Sequence, residues 1–234
     1  MRPLIVIPTY NERRNLAVLA PKVLGIVPGA SLLVVDDASP DGTAALVRSL
    51  SRRHRGRVHL LSRPAKLGLG TAYVAGFRWA LDHGYDPVIQ MDADGSHDPA
   101  ALPGFLSALR GADAVVGSRY LAGLRVINWP WHRLLLSLLA NRYARFVTGV
   151  PLTDLTGGFN GWRARILRRI GLGRIRANGY AFQIELKFRC RRAGGRIAEV
   201  PIVFSGRVEG ESKLSRSVVF EAVWAVWRMR LPGA

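Results

Sequence analysis

An Asp-Ala-Asp triplet, Asp92-Ala93-Asp94, closes the apolar run Val88–Met91. Two carboxylates one residue apart at a strand end can share a hard divalent cation, one directly and one through water. Mg²⁺ takes few protein carboxylates, keeps several waters and accepts phosphate oxygens as its other ligands. Without a cation, two buried like charges repel and one of them has to protonate. An acidic turn with Asx capping is the plain alternative reading. The metal reading gains weight because acidic and polar residues close other apolar runs as well. Thr9-Tyr10-Asn11-Glu12 follows Leu4–Pro8, Asp36-Asp37 follows Leu32–Val35, and Ser118-Arg119 follows Ala114–Gly117.

These runs are spaced by helical patterns. Asn15–Val27, Asp41–His54, Leu69–His83 and Pro99–Leu109 read as helices, with Asp41 as an N-cap and Gly84 as a stop. Val58–Leu61 is a further strand. Short continuous apolar strands alternating with helices predict an α/β fold with a mostly parallel, doubly wound central sheet. In such a sheet, ligands bind beyond the carboxyl ends of the strands, where the acidic residues gather. No P-loop motif is present, and no GxGxxG follows the first strand. Gly68–Gly76 lacks the dinucleotide spacing and reads as a helix start with small packing residues. What remains is a nucleotide held through a metal on its diphosphate.

After residue 120 the alternation fails. Asn128–Thr148 mixes Trp, Leu and Arg as an interfacial helix does, although a core helix is the alternative. Tyr180–Arg192 reads as a helix, and Arg196–Phe204 as a strand pair interrupted by Pro201. A polar loop with Gly206 and Gly210 as hinges then suggests a lid, and Val218–Arg230 is an amphipathic stretch. The expected organisation is a domain over 1–214, with a nucleotide-binding half over 1–120 and an acceptor half over 121–214, and a C-terminal amphipathic helix over 215–234.

The formal charge of +18 calls for an anionic partner: nucleic acid, anionic lipid or phosphorylated substrate. No basic helix, RNP aromatic signature or zinc pattern supports nucleic acid. The longest apolar stretch, Leu134–Ala140, falls well short of the roughly 20 residues a spanning helix needs. No signal peptide is visible, and the lone Cys190 fits a small buried hydrophobe in a reducing compartment. The expectation is a peripheral protein on the cytoplasmic face of a membrane.

Pro8–Glu12 (PTYNE), Val34–Thr43 (VVDDASPDGT), Lys66–Gly70, Met91–Pro99 (MDADGSHDP), Gly117–Tyr120 (GSRY), Gly157–Arg163 (GGFNGWR), Tyr180–Glu185 (YAFQIE) and Glu209–Ser215 (EGESKLS) together resemble glycosyltransferase family 2. Within it they resemble most the polyprenol- or dolichol-phosphate mannosyltransferases. ESKLS combined with DADGSH is the most discriminating pair. The resemblance implies a GT-A fold, GDP-mannose as donor, Mg²⁺ or Mn²⁺ as cofactor and a polyprenyl phosphate as acceptor at a membrane surface. It implies that Pro8, Tyr10 and Glu12 line the nucleotide pocket and Asp36 reads the guanosine. Asp92, Ala93 and Asp94 hold metal and diphosphate, and Arg119 meets a substrate phosphate. Arg207 and Lys213 close over the reacting phosphates. Where many members carry Gln as a further metal ligand, this chain has the shorter Ser96. Many members also carry C-terminal transmembrane helices, so the last helix could seat instead on a membrane-embedded partner protein.

The acceptor chemistry has a physical consequence. A sugar hydroxyl needs a general base to become a nucleophile, whereas a phosphate monoester, with its second pKa at about 6, does not. The enzyme's task is then electrostatic, and direct displacement with inversion to a β-linked mannosyl phosphate is expected. Transfer of glucose or N-acetylglucosamine, or transfer to a hydroxyl acceptor, stays open at this level.

Overall fold

The computed structural model describes residues 1–175, 177, 179–206 and 223–230. The first half alternates as expected: β1 (Leu4–Thr9), α1 (Arg13–Ile26), β2 (Ser31–Asp36), α2 (Thr43–Arg53), β3 (Val58–Ser62), α3 (Leu69–Asp82) and β4 (Val88–Gln90). A short 3₁₀ turn, Pro99–Ala101, leads into α4 (Leu102–Ala108), and β5 (Ala114–Ser118) follows. The second half contributes β6 (Val126–Ile127), α5 (Trp131–Thr148), β7 (Asn160–Trp162), α6 (Ala164–Arg169), α7 (Gly179–Arg192), β8 (Ile197–Pro201) and β9 (Phe204–Ser205). Residues 223–228 are helical.

The main sheet runs β3-β2-β1-β4-β7-β5-β8, and β6 pairs with β9 in a separate two-stranded ribbon. β3, β2, β1 and β4 are mutually parallel, and β5 and β8 are parallel to each other. β7 alone runs antiparallel, between β4 and β5. The sheet is therefore mostly parallel.

Both faces are covered, which is why the strands read as unbroken apolar runs. In β1, Ile5 and Ile7 pack against Leu16, Leu19 and Val23 of α1, whereas Leu4 and Val6 pack with Tyr73 and Phe77 of α3 on the opposite face. A side-chain period of two sends each strand's apolar residues alternately into these two cores. A Cβ at Gly76 would stand 2.5 Å from Val6 Cγ1, so glycine there is what lets α3 lie close on β1. A third core joins α5 and α7 through Ala144, Val147, Ala181 and Ile184, with Val226 and Met229 against it. Cys190 is buried in the second core, and burial pushes its thiol up to about 12. It behaves as a hydrophobe.

The alternation that stops at residue 120 in the sequence does not stop in the fold. β7 and β8 come from the later residues and complete the same sheet. β7 is only Asn-Gly-Trp and carries no strand pattern. A Cβ at Gly161 would meet Val115 Cγ1 at 2.8 Å and Leu109 Cδ1 at 2.9 Å, so this strand exists by filling a slot between formed neighbours. Trp162 Nε1 donates to Gln90 Oε1 at 2.7 Å and fastens it to β4.

Candidate active site

β1 and β2 are adjacent and in register, with Thr9 opposite Asp36. Asp36 is buried, and its carboxylate accepts from Thr9 Oγ1 at 2.9 Å, Ser39 Oγ at 2.6 Å and Ser39 N at 3.1 Å. The chain leaves both strands through left-handed turns at Asn11 (φ 61°) and Ala38 (φ 55°). Such conformations are uncommon for residues with a Cβ and cluster at functional sites. Asn11 N donates to Ser39 Oγ at 3.0 Å and joins the two turns. Tyr10 stands half-exposed beside them with Lys66 Nζ 4.1 Å from its ring centroid. Pro8 is half-buried in β1, and Glu12 accepts from Asn15 Nδ2 at 2.7 Å at the start of α1. Asp37 turns the other way, to a bidentate pair with Arg63 whose Nη2–Oδ2 distance is 2.6 Å.

β4 hands Asp92 and Asp94 to the same sheet end. Asp92 is held from two sides: Tyr73 OH donates to its Oδ1 at 2.7 Å, and its own N–H donates to His97 Nδ1 at 3.0 Å. Asp94 Oδ1 accepts from Ser96 N at 3.0 Å. Ser96 Oγ is buried and, among the described residues, has no hydrogen-bond partner. A buried hydroxyl normally finds a partner, so an orphan beside two carboxylates suits a ligand. Among the described residues no group of three or more His, Cys, Asp or Glu could hold a metal. Two carboxylates and a hydroxyl, all oxygen donors, fit a hard divalent cation that takes its other ligands from water and phosphate. Gly158 backs this set: a Cβ there would lie 3.6 Å from Asp92 Oδ2 and 3.8 Å from His97 Cε1. His97 is buried against Phe159, with ring centroids 4.8 Å apart, and burial lowers its pKa so that it stays neutral. Burial and the neighbouring Asp92 push the Tyr73 phenol well above its ordinary value, so it remains a donor.

Arg119 follows β5. It is buried and clasped by Asp154, with Nε–Oδ2 at 2.6 Å and Nη2–Oδ1 at 2.7 Å, and Nη2 also donates to Thr156 Oγ1 at 2.8 Å. Burial would raise the Asp154 carboxyl, but the guanidinium outweighs it and holds the group below its usual value. Three rings surround the guanidinium, with centroids at 5.2 Å (Tyr120), 5.4 Å (Trp129) and 5.6 Å (Phe204). The Asp154 turn is secured from beneath by the fully buried Lys187, whose Nζ donates to Leu155 O at 2.9 Å and Gly157 O at 2.7 Å. Burial lowers the Lys187 pKa to about 7. Asn141 of α5 accepts from Leu155 N at 2.7 Å, and Glu199 of β8 accepts from Thr153 N at 2.9 Å.

Asp36 beside Tyr10, the Asp92–Asp94 pair, and Arg119 thus stand along one end of the sheet. His97 links the last two, because the charges of Asp92, Asp94, Arg119 and Asp154 all act on it. Ala93 is buried between the two aspartates. Arg207, Lys213 and Gly210 lie outside the described residues, as does the 209–215 motif. No role of their own is read from the sequence for Tyr73, His97, Asp154 and Lys187, although His97 closes the DADGSH motif. Tyr73 lies in the Gly68–Gly76 stretch, whose spacing points only to packing. Asp154 precedes the Gly157–Arg163 motif, and that adjacency was the available signal.

A doubly wound sheet whose end carries an Asp-x-Asp pair and a buried arginine defines a glycosyltransferase of the GT-A type. Residues 4–171 match the profile of glycosyl transferase family 2, and the chain belongs to that family. It is 47% identical over 232 residues to a polyprenol monophosphomannose synthase of Mycolicibacterium smegmatis, covering 98% of this chain and 88% of that one. It is 48% identical over 231 residues to an undecaprenyl-phosphate mannosyltransferase of Micrococcus luteus, covering 99% and 95%. The fold matches glucosyl-3-phosphoglycerate synthase from Mycobacterium tuberculosis, solved with Mn²⁺, UDP and glucosyl-3-phosphoglycerate, at TM-score 0.68 and 20% identity over 96% of this chain and 79% of that chain. It also matches a mannosyltransferase from Pyrobaculum calidifontis in complex with GDP-Man and Mn²⁺, at TM-score 0.59 and 17% identity over 98% and 70%.

Proposed function

We propose that this enzyme transfers mannose from GDP-mannose to a polyprenyl monophosphate with inversion, giving a β-mannosyl phosphoryl polyprenol. The observation that carries this reading is the strand-end pair Asp92–Asp94 standing next to a buried arginine platform. The names of the two relatives at nearly half identity support the mannosyl donor group and the prenyl phosphate acceptor.

Asp92, Asp94 and Ser96 would hold a Mg²⁺ or Mn²⁺ ion, which when bound supplies Lewis-acid neutralisation of the leaving diphosphate. Pro8, Tyr10 and Glu12 line the nucleotide side, and Asp36 offers a preorganised carboxylate to the guanine. Arg119, fixed by Asp154 and Thr156, presents positive charge without having to reorganise. Arg207 and Lys213, which lie outside the described residues, add two cations later in the sequence than β9. One acceptor phosphate oxygen attacks C1 of mannose, the C1–O bond to the diphosphate breaks, and GDP departs with the bonding electrons. No base is required, because the phosphate is mostly dianionic at neutral pH.

The exposed side of α5 supports a seat on a membrane surface, with Trp131 76% and Phe146 80% exposed alongside Arg142 and Arg145. No described helix is long and apolar enough to cross a bilayer.

The test is incubation with radiolabelled GDP-mannose, Mg²⁺ and a panel of polyprenyl phosphates, with and without chelator. Label entering the organic phase only with metal and acceptor is expected, with a β anomeric signal by NMR. Label that stays aqueous with every acceptor overturns the proposal, and transfer indifferent to chelator removes the metal from it.

A further inference from the structure

Trp129 has a place in the site that neither the sequence motifs nor the proposed mechanism uses. Its indole Nε1 is buried and, among the described residues, has no hydrogen-bond partner. An indole N–H only donates, and a buried one usually finds an acceptor. Around the ring stand two cations: Arg133 with its guanidinium carbon 4.2 Å from the centroid, and Arg119 at 5.4 Å. Phe204 meets the ring edge-on at 5.5 Å. An unpaired donor flanked by two guanidiniums is an arrangement for an anion with oxygens to spare.

The neighbourhood indicates which anion. The nucleotide side is built at the ends of β1 and β2, around Tyr10 and Asp36. Trp129 lies instead in the stretch between β6 and α5, beyond Arg119. Leu124, Ile127 and Trp131, close to it along the chain, are 60%, 48% and 76% exposed, and none of these suits a nucleotide. They suit the hydrocarbon attached to a lipid phosphate. We propose that Trp129 is an acceptor-specificity residue. Its indole N–H donates to a phosphate oxygen of the prenyl phosphate, and its ring holds the Arg119 and Arg133 guanidiniums beside that phosphate. This rests on the prenyl phosphate reading of the acceptor.

The test uses the full chain and two substitutions. Trp129→Phe keeps a ring and loses only the N–H, whereas Trp129→Leu loses both. Initial rates are measured against polyprenyl phosphate at saturating GDP-mannose, and against GDP-mannose at saturating acceptor. A hydrogen bond to a charged group corresponds to roughly a tenfold or larger change. Trp129→Phe is expected to raise the acceptor KM about tenfold, with donor KM and kcat within about twofold of wild type. Trp129→Leu is expected to raise the acceptor KM further, because the ring that holds the two guanidiniums is lost as well. Melting temperature and GDP binding, followed by calorimetry, separate these effects from misfolding. An unchanged acceptor KM in folded Trp129→Phe, or equal rises for donor and acceptor, overturns the assignment. A wild-type enzyme that mannosylates no prenyl phosphate overturns the underlying reading instead.

Discussion

The two ends of the substrate path are built differently. On the proposed donor side, Asp36, Asp92 and Asp94 stand at the ends of strands covered on both faces, and hydrogen bonds from Thr9, Ser39, Tyr73 and Ser96 orient their carboxylates. On the proposed acceptor side, a hydrogen-bonded kernel of Arg119, Asp154, Thr156 and Lys187 gives way to α5, where Leu135, Leu139 and Phe146 are exposed. A water-soluble nucleotide sugar can be held by a preorganised polar cleft. A lipid phosphate needs a fixed charge for its head and an apolar surface for its tail. The contrast teaches that, on the proposed reading, buried hydrogen-bonded groups serve charge and exposed apolar side chains serve hydrocarbon.

The contrast breaks first at the aspartates. Asp94→Ala should lower transfer by about 1000-fold or more, since several kcal/mol of charge stabilisation go with the cation. A radiochemical assay at saturating Mn²⁺ checks this, and near-normal rates would remove the metal site from the donor side. The acceptor kernel is tested by Arg119→Lys. Lysine cannot reproduce the two-pronged clasp on Asp154, and kcat/KM is expected to fall about 100-fold. A loss confined to GDP-mannose binding would place Arg119 on the other side of the divide.

A smaller effect sharpens the picture of the kernel. Lys187 titrates at about 7 in the folded chain, against 10.5 ordinarily. Between those values the unfolded chain holds a proton that the folded chain has released. Stability from this group therefore rises with pH across the window, and its penalty is fully present below about pH 7. Urea melts at pH 7 and 9 should show wild type gaining stability relative to Lys187→Met. Parallel pH dependence in the two proteins would mean that Lys187 is not desolvated. The smallest effect concerns the exposed face. Trp131→Ser with Phe146→Ser should change folding stability by no more than about 0.5 kcal/mol. The same pair should reduce flotation with anionic liposomes, and undiminished flotation would take α5 out of the membrane seat.

Much of the donor side was legible in the chain. Buried parallel strands need continuous apolar runs, so Leu4–Pro8, Leu32–Val35 and Val88–Met91 marked themselves, and the residues after them were the ones at the sheet end. The N-cap of α2 is Gly42 rather than Asp41, and the helix begins two residues later than the pattern suggests; Asp41 stands just outside it and accepts from Thr43 N at 3.0 Å. The α5 segment was legible as a helix but three residues too long, since Pro130 precedes its first turn. β7 was not legible, because Asn-Gly-Trp has neither length nor alternation, and it is a strand only between β4 and β5.

What the sequence determined by itself is local: where the chain is extended, where it is helical, and which polar residues end each strand. Periodicity and composition report that directly, because backbone geometry sets which side chains share a face. The tertiary structure decided the pairings: Tyr73 on Asp92 across 19 positions, Arg119 on Asp154 across 35, and Lys187 on the turn at Leu155 across 32. Such contacts depend on which strands become neighbours, and desolvation inside the folded protein then makes each buried polar group find a partner that no local pattern announces.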